Sequence, residues 1–160
     1  MGTPDLMFLL SQASHALTTE LTARLAELGI TPRSHCVLRT ALSHEEPTQG
    51  LVAEECALDK TTMVVTMDEL EKAGLAHRRS SLADRRVKIV DVTPKGARLV
   101  ERAEAVVAAV YDDVLAGLPA GERAGFVAGL ERLAEAGGRL ATPVACERQV
   151  RRPRVAQVTA

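Results

Sequence analysis

Residues 48–98 read TQGLVAEECALDKTTMVVTMDELEKAGLAHRRSSLADRRVKIVDVTPKGAR, and the spacing of the apolar residues changes along them. From Gln49 to Cys56, the side chains of Leu51, Val52 and Cys56 fall near one helical face. Ala57-Leu58-Asp59 interrupts that pattern, with Asp59 placed to cap a second helix opening at Lys60. In that helix Met63, Val64, Met67 and Leu70 recur at steps of three or four, which predicts an apolar stripe with Lys60, Thr61, Thr62, Val65, Thr66 and Glu69 outside it. Free backbone N–H groups at its start are expected to favour an anion. Gly74 is placed to end the helix. Leu75 and His77, then Val87, Ile89 and Val92, read as two strands around the turn 80–86. Two short helices followed by a hairpin predict a winged helix-turn-helix. The fold class is therefore mostly α with a small β-hairpin wing.

The hairpin is where cations gather. Between Gly74 and Arg98 stand Arg78, Arg79, Arg85, Arg86, Lys88, Lys95 and Arg98 against Asp84 and Asp91, a surplus of five in a chain of net charge −1. The stretch from Pro143 onward sets Arg148, Arg151, Arg152 and Arg154 against Glu147, which leaves the rest of the chain acidic. Such segregation suits a molecule that offers one face to a polyanion and repels it elsewhere. Small hydroxyls and one lysine at the start of the second helix match what a major-groove reading helix needs, since they approach base edges without bulk.

The run GLAHRRSSLADRRVKIVDVTPKG resembles the wing of the MarR family of bacterial transcriptional regulators, whose pattern is roughly G-L-V-x-R-x-x-x-x-x-D-R-R, an apolar strand, then L/V-T and a helix with Gly. Gly74, Leu75, Arg78, Asp84, Arg85, Arg86, Thr93 and Gly96 take those places. The resemblance extends weakly to Gly29-Ile30-Thr31-Pro32 and covers about Leu6 to Leu140. It implies that Arg86 enters a minor groove and that Asp84 holds it in place. Where many members have Ser or Thr followed by Arg, this chain has Val64-Val65, which removes a guanine contact and suggests that Val65 meets a thymine methyl instead. Together these readings give Thr48, Lys60, Thr61, Thr62, Val65, Thr66, Arg78, Asp84, Arg85 and Arg86 as DNA-contacting candidates. Arg78 is equally readable as a brace between the hairpin and an acidic neighbour.

Outside this module the chain reads as helices. Thr3-Pro4-Asp5 precedes a long one whose apolar face runs from Leu6 to Leu25, widened by Met7 and Phe8 beyond what one small domain covers. Thr31 and Pro32 start a second, which Pro47 bounds. Thr93-Pro94 opens another long helix, Gly117-Leu118-Pro119 breaks it, and Phe126, Leu130 and Leu133 mark a last one. Residues 1–142 are thus expected to form one domain, with 48–98 the DNA-binding module, 3–29 and 93–140 dimerisation helices, and 143–160 a basic tail. A homodimer would place two reading helices in successive major grooves and select a pseudopalindromic duplex.

Other classes find less support. No run of eighteen apolar residues and no charged leader ahead of Leu6–Leu10 is present, so a cytoplasmic protein without a membrane span is expected. Cys36, Cys56 and Cys146 are widely spaced without a C-x-x-C pair, which argues against a disulfide framework or a zinc module; Cys36 is expected to be a structural, half-buried thiol. The four histidines form no i, i+4 ligand pair, so no metal or cofactor is implied. No catalytic motif argues for an enzyme. A small-molecule effector, an acid, would sit between the first two helices and the reading module, with His15, Arg33 and His35 as candidates. Two alternatives stand beside the regulator: a winged-helix protein-interaction module and a thiol-based redox-responsive regulator.

Overall fold

In the structure, a computed structural model, the backbone is described for residues 4–140 and the side chains for residues 4–135. Cys146 and the basic tail 143–160 lie outside the described residues. The element order is α1 (Leu6–Ala26), α2 (Pro32–Leu42), α3 (Gln49–Glu55), α4 (Lys60–Lys72), β1 (Ala76–Ser80), β2 (Lys88–Val92), α5 (Pro94–Leu115) and α6 (Ala120–Leu140). The chain divides between Gly117 and Leu118 into two compact units, so α6 forms a part of its own.

The helix starts follow local chemistry. Asp5, Thr31, Thr48, Asp59 and Thr93 each turn a side-chain oxygen onto backbone N–H groups two or three residues ahead, satisfying donors that have no intrahelical acceptor. Gly29 and Gly74 end α1 and α4 at φ +69, letting Ile30 N–H return to Leu25 O and Leu75 N–H to Leu70 O. Between α3 and α4 the same left-handed geometry falls on Ala57, at φ 51, and Leu58 N–H donates to Ala53 O at 2.8 Å. That turn sets the angle at which α4 leaves α3.

β1 and β2 pair antiparallel in the register Ala76↔Val92 to Ser80↔Lys88. A bridge from Thr48 to Ile89 and a bond from Val90 N–H to Pro47 O tie the approach to α3 onto β2. Thr93 N–H and its hydroxyl both reach Leu75 O, at 3.0 and 3.1 Å, closing the hairpin's base against the start of α5. Gly96 makes this closure feasible, because a Cβ there would run into Leu75 O and stand 2.9 Å from Val92 Cγ1.

Leu25, Leu38, Val37, Val52, Met63, Met67, Leu70, Val90 and Val110 are fully buried in one core. At about 1.5–3 kcal/mol for each fully buried large aliphatic, these side chains supply most of the drive to fold. All three aromatic residues, Phe8, Tyr111 and Phe126, are exposed, so the core is aliphatic with methionine filling, as the composition implies. α1 and α2 pack on α5, and α4 packs on β1. The expected faces of α4 need one correction. The buried row is Met63, Thr66, Met67 and Leu70, while Val64 is exposed. Thr66 enters the core because its hydroxyl is satisfied locally, donating to Thr62 O at 2.8 Å, so that only its methyl side needs apolar company.

Candidate nucleic-acid interface

The outer face of α4 begins with Lys60 and Thr61, both exposed, and continues through Val64 and Val65. Thr62 is half-buried; its hydroxyl donates to Asp59 Oδ2 at 2.6 Å. The backbone N–H groups of Thr61 and Thr62 donate to Asp59 Oδ1 at 2.9 and 3.0 Å. These bonds, the Thr62 hydroxyl's first among them, hold the Asp59 carboxyl below its ordinary range. The expectation of free N–H groups is thereby corrected: at this helix start the cap already fills the place an anion would take. The cation exposed at this helix start is the Lys60 ammonium. Thr66, with no exposed surface, cannot reach a base and leaves the candidate set.

Further along α4 the exposed residues turn acidic, and Arg78 answers them. Its Nη1 lies 2.8 Å from Asp68 and 2.6 Å from Glu71, its Nη2 donates to Val64 O at 2.9 Å, and its Nε donates to Gln49 Oε1 at 3.1 Å. With only 19% of the side chain exposed, this guanidinium joins β1, α4 and α3. Of the two roles the sequence left open for Arg78, these bonds show the bracing one. Arg79 is likewise committed, to Asp91 at 2.8 Å and Glu46 at 3.0 Å. Lys95 donates to Ala73 O, at the end of α4.

Part of what remains of the cationic surplus stands at the wing's tip, while Arg98 is exposed on α5. Among the described residues Arg85 and Arg86 have side chains without an ion-pair partner, and Leu82 beside them is 96% exposed. Asp84 shapes this tip, although not as expected. Its carboxylate accepts from the Arg86 backbone N–H at 2.9 Å and makes no ion pair with the guanidinium, while Val87 N–H returns to Asp84 O. Asp84 thus fixes the turn from which Arg86 projects. Thr48 caps α3 and, with Gln49, Gly50, Arg86 and Lys88, lines an open cleft between the first helix of the motif and the wing.

The effector candidates separate. His35 is buried in a small cleft of about 80 Å³ with Leu21, Leu25, Pro32, Cys36, Arg39, Val107 and Tyr111, and its Nε2 has no hydrogen-bond partner among the described residues. Burial first, then Arg39, lowers its pKa, against a pull from Glu104. His15 and Arg33 are exposed and do not line this cleft. Arg39 and Tyr111 do, and neither was legible from the sequence because α2 and α5 meet only in the fold. Cys36 and Cys56, twenty residues apart, place their sulfurs 3.3 Å from each other, which their wide spacing does not announce. Among the described residues no group of three His, Cys, Asp or Glu side chains is arranged to hold a metal ion, and no helix is long and apolar enough to cross a membrane.

A helix set off by a tight turn and flanked by an arginine-tipped hairpin is the winged helix-turn-helix architecture. Residues 28–87 match the profile of the MarR family. The HTH-type transcriptional repressor Rv2887 of Mycobacterium tuberculosis is 32% identical over 136 residues, covering 83% of this chain and 98% of that protein. Two solved structures are similar in both fold and sequence. CouR from Rhodococcus jostii RHA1 bound to p-coumaroyl-CoA gives a TM-score of 0.70 at 30% identity over 87% of this chain and 93% of that one. The transcriptional repressor CouR bound to a 23-mer DNA duplex gives 0.73 at 27% identity over 81% and 92%. The chain belongs to the MarR family of transcriptional regulators.

Proposed function

We propose that the protein is a repressor that binds a pseudopalindromic duplex as a homodimer and is released by a small ligand. The observation carrying this reading is the pairing of two surfaces: Lys60, Thr61, Val64 and Val65 on α4, and the unpartnered Arg85 and Arg86 on a wing that Arg78 braces to that same helix. Phosphate neutralisation by the arginines and Lys60 supplies most of the affinity. Thr61 and the two valines discriminate bases, at about 1–3 kcal/mol for each good contact. The relative named as a repressor and the neighbour solved on a 23-mer duplex support this direction.

A second copy of the chain has a surface to cover. Leu6, Met7, Phe8 and Leu9, at the start of α1, are all more than half exposed, and on α6 Phe126, Leu130 and Leu133 are exposed too. Apolar helix ends of this kind are stable in water when shared across a two-fold axis. The effector's place is the His35 cleft, where Arg39 offers an anion partner and Tyr111 a phenol beside apolar walls. A neighbour was solved bound to p-coumaroyl-CoA, which supports regulation by a small molecule. Such a ligand acts only through its difference in affinity for the DNA-competent and released shapes. Selecting bound sites from a pool of random duplexes tests the reading: inverted half-sites about one helical turn apart are expected, and recovery of single, unpaired half-sites argues against the dimer.

A further inference from the structure

We propose that Cys36 and Cys56 are a redox-active dithiol that a hydroperoxide converts to an intramolecular disulfide, with Cys36 as the attacking sulfur and Cys56 as the resolving one. Cys36 stands on α2 and Cys56 just past the end of α3. Both are half-buried, and their sulfurs, 3.3 Å apart, need to approach by about 1.3 Å to bond. Thr40 Oγ1 lies 3.5 Å from the Cys56 sulfur, on the same side of α2.

The two thiols are not equivalent. Cys36 lines the cleft between α1, α2 and α5, together with Arg39, so a small oxidant can reach it; Cys56 does not line that cleft. The hydrogen bond between the two sulfurs is the largest influence holding the Cys36 thiol down to about 6; the Arg39 guanidinium and the Thr40 hydroxyl add to it against the cost of burial. The same bond pushes the Cys56 thiol up. The charged and titratable groups around the pair are Arg39 and His35 on α2, Glu55 on α3 with its partner His44, and Tyr111 on α5. The shared bond and the nearby Arg39 guanidinium thus favour the thiolate at Cys36 and the retained proton at Cys56. This is the division of labour that the chemistry requires, since the thiolate is the nucleophile.

The Cys36 thiolate attacks the terminal oxygen of a hydroperoxide. The O–O bond breaks, the departing alkoxide takes a proton to become an alcohol, and Cys36 is left as a sulfenic acid. Cys56, losing its proton, then attacks the Cys36 sulfur; an S–S bond forms, the S–O bond breaks, and hydroxide leaves with that proton as water. Two thiols are oxidised by two electrons in all, and one hydroperoxide is reduced to an alcohol and water. The product ties α2 to the end of α3, next to the Ala57 turn that aims α4. The dithiol chemistry needs nothing from the DNA-binding reading; only its effect on an operator rests on that reading.

The test uses the 160-residue chain and its Cys146→Ser variant, treated with equimolar cumene hydroperoxide or hydrogen peroxide at pH 7 and read by intact and peptide mass spectrometry. The expected result is a loss of two hydrogens located to a Cys36–Cys56 peptide pair and reversed by dithiothreitol. In Cys56→Ser, dimedone should label Cys36; in Cys36→Ser, Cys56 should stay unlabelled. Iodoacetamide should modify Cys36 in the folded protein with a rate midpoint near pH 6, below the midpoint of the same thiol in urea. Unoxidised thiols, dimedone on Cys56 in place of Cys36, or a bridge between two chains would each overturn the assignment. Because these readouts contain no DNA, their failure and a failure of operator binding are distinguishable.

Discussion

Glu71 holds Arg78 twice: one carboxylate oxygen accepts from the Arg78 backbone N–H at 2.7 Å, and the other lies 2.6 Å from its Nη1. The carboxylate of a reading-helix residue is thus the clasp of the wing's first strand. Arg78→Ala is expected to destabilise the fold by about 1–3 kcal/mol, since it strands partly buried acceptors on α3 and α4. It should also speed amide exchange across β1. A thermal melt and a hydrogen-exchange map check both, and normal exchange at 76–80 would contradict the bracing role.

Thr66 and Val65 are neighbours with opposite surroundings. Thr66→Val keeps the buried shape and gives up a bond to Thr62 O, so stability should stay within about 1 kcal/mol and operator preference should not move. Val65→Ala, on the exposed face, should leave the melt unchanged and relax preference at one base position in each half-site. Comparing the two variants on a panel of single-base operator changes separates the faces of α4.

Gly96→Ala tests the closure of the hairpin on α5. The new methyl would meet Leu75 O, a backbone atom already accepting from Thr93, which cannot step aside without opening the base of the wing. A loss of about 2–4 kcal/mol is expected in a urea titration.

His35 makes stability depend on pH. Its folded pKa is lowered by burial and by Arg39, so as pH falls below the ordinary value of 6.5 the unfolded chain takes up a proton before the folded chain does. Its contribution is thus complete above that value and declines as pH drops beneath it. The melting temperature should fall below pH 6.5 in the natural sequence and fall less steeply in His35→Asn. Parallel curves for the two proteins would remove His35 as the cause.

Much of this architecture was written locally. Asp59, Gly74, Thr93 and the paired arginines announce a capped helix, its end, the next helix and a charged turn within a few residues of one another, and those features survive in the structure. The misassignments have two physical origins, one within a helix and one between elements. A helix advances 100° per residue, so Val64 and Thr66 lie on different flanks of one apolar stripe, and hydropathy favours Val64 for the core while a backbone bond lets Thr66 take the place. The partners of Arg78 come from Gln49, Val64, Asp68 and Glu71, on two helices, and no local spacing predicts that convergence. The same holds for Cys36 with Cys56, and for the exclusion of His15 and Arg33 from the His35 cleft.

The most direct test of the account is the salt dependence of operator affinity for the natural sequence and for Arg86→Ala, measured by fluorescence anisotropy on one labelled duplex. Affinity should fall steeply and linearly on logarithmic axes. Arg86→Ala should weaken it at least about tenfold at moderate salt and flatten the slope by about one unit per protomer, with the dimer intact. Affinity that ignores both salt and Arg86 would contradict the claim that the wing grips DNA.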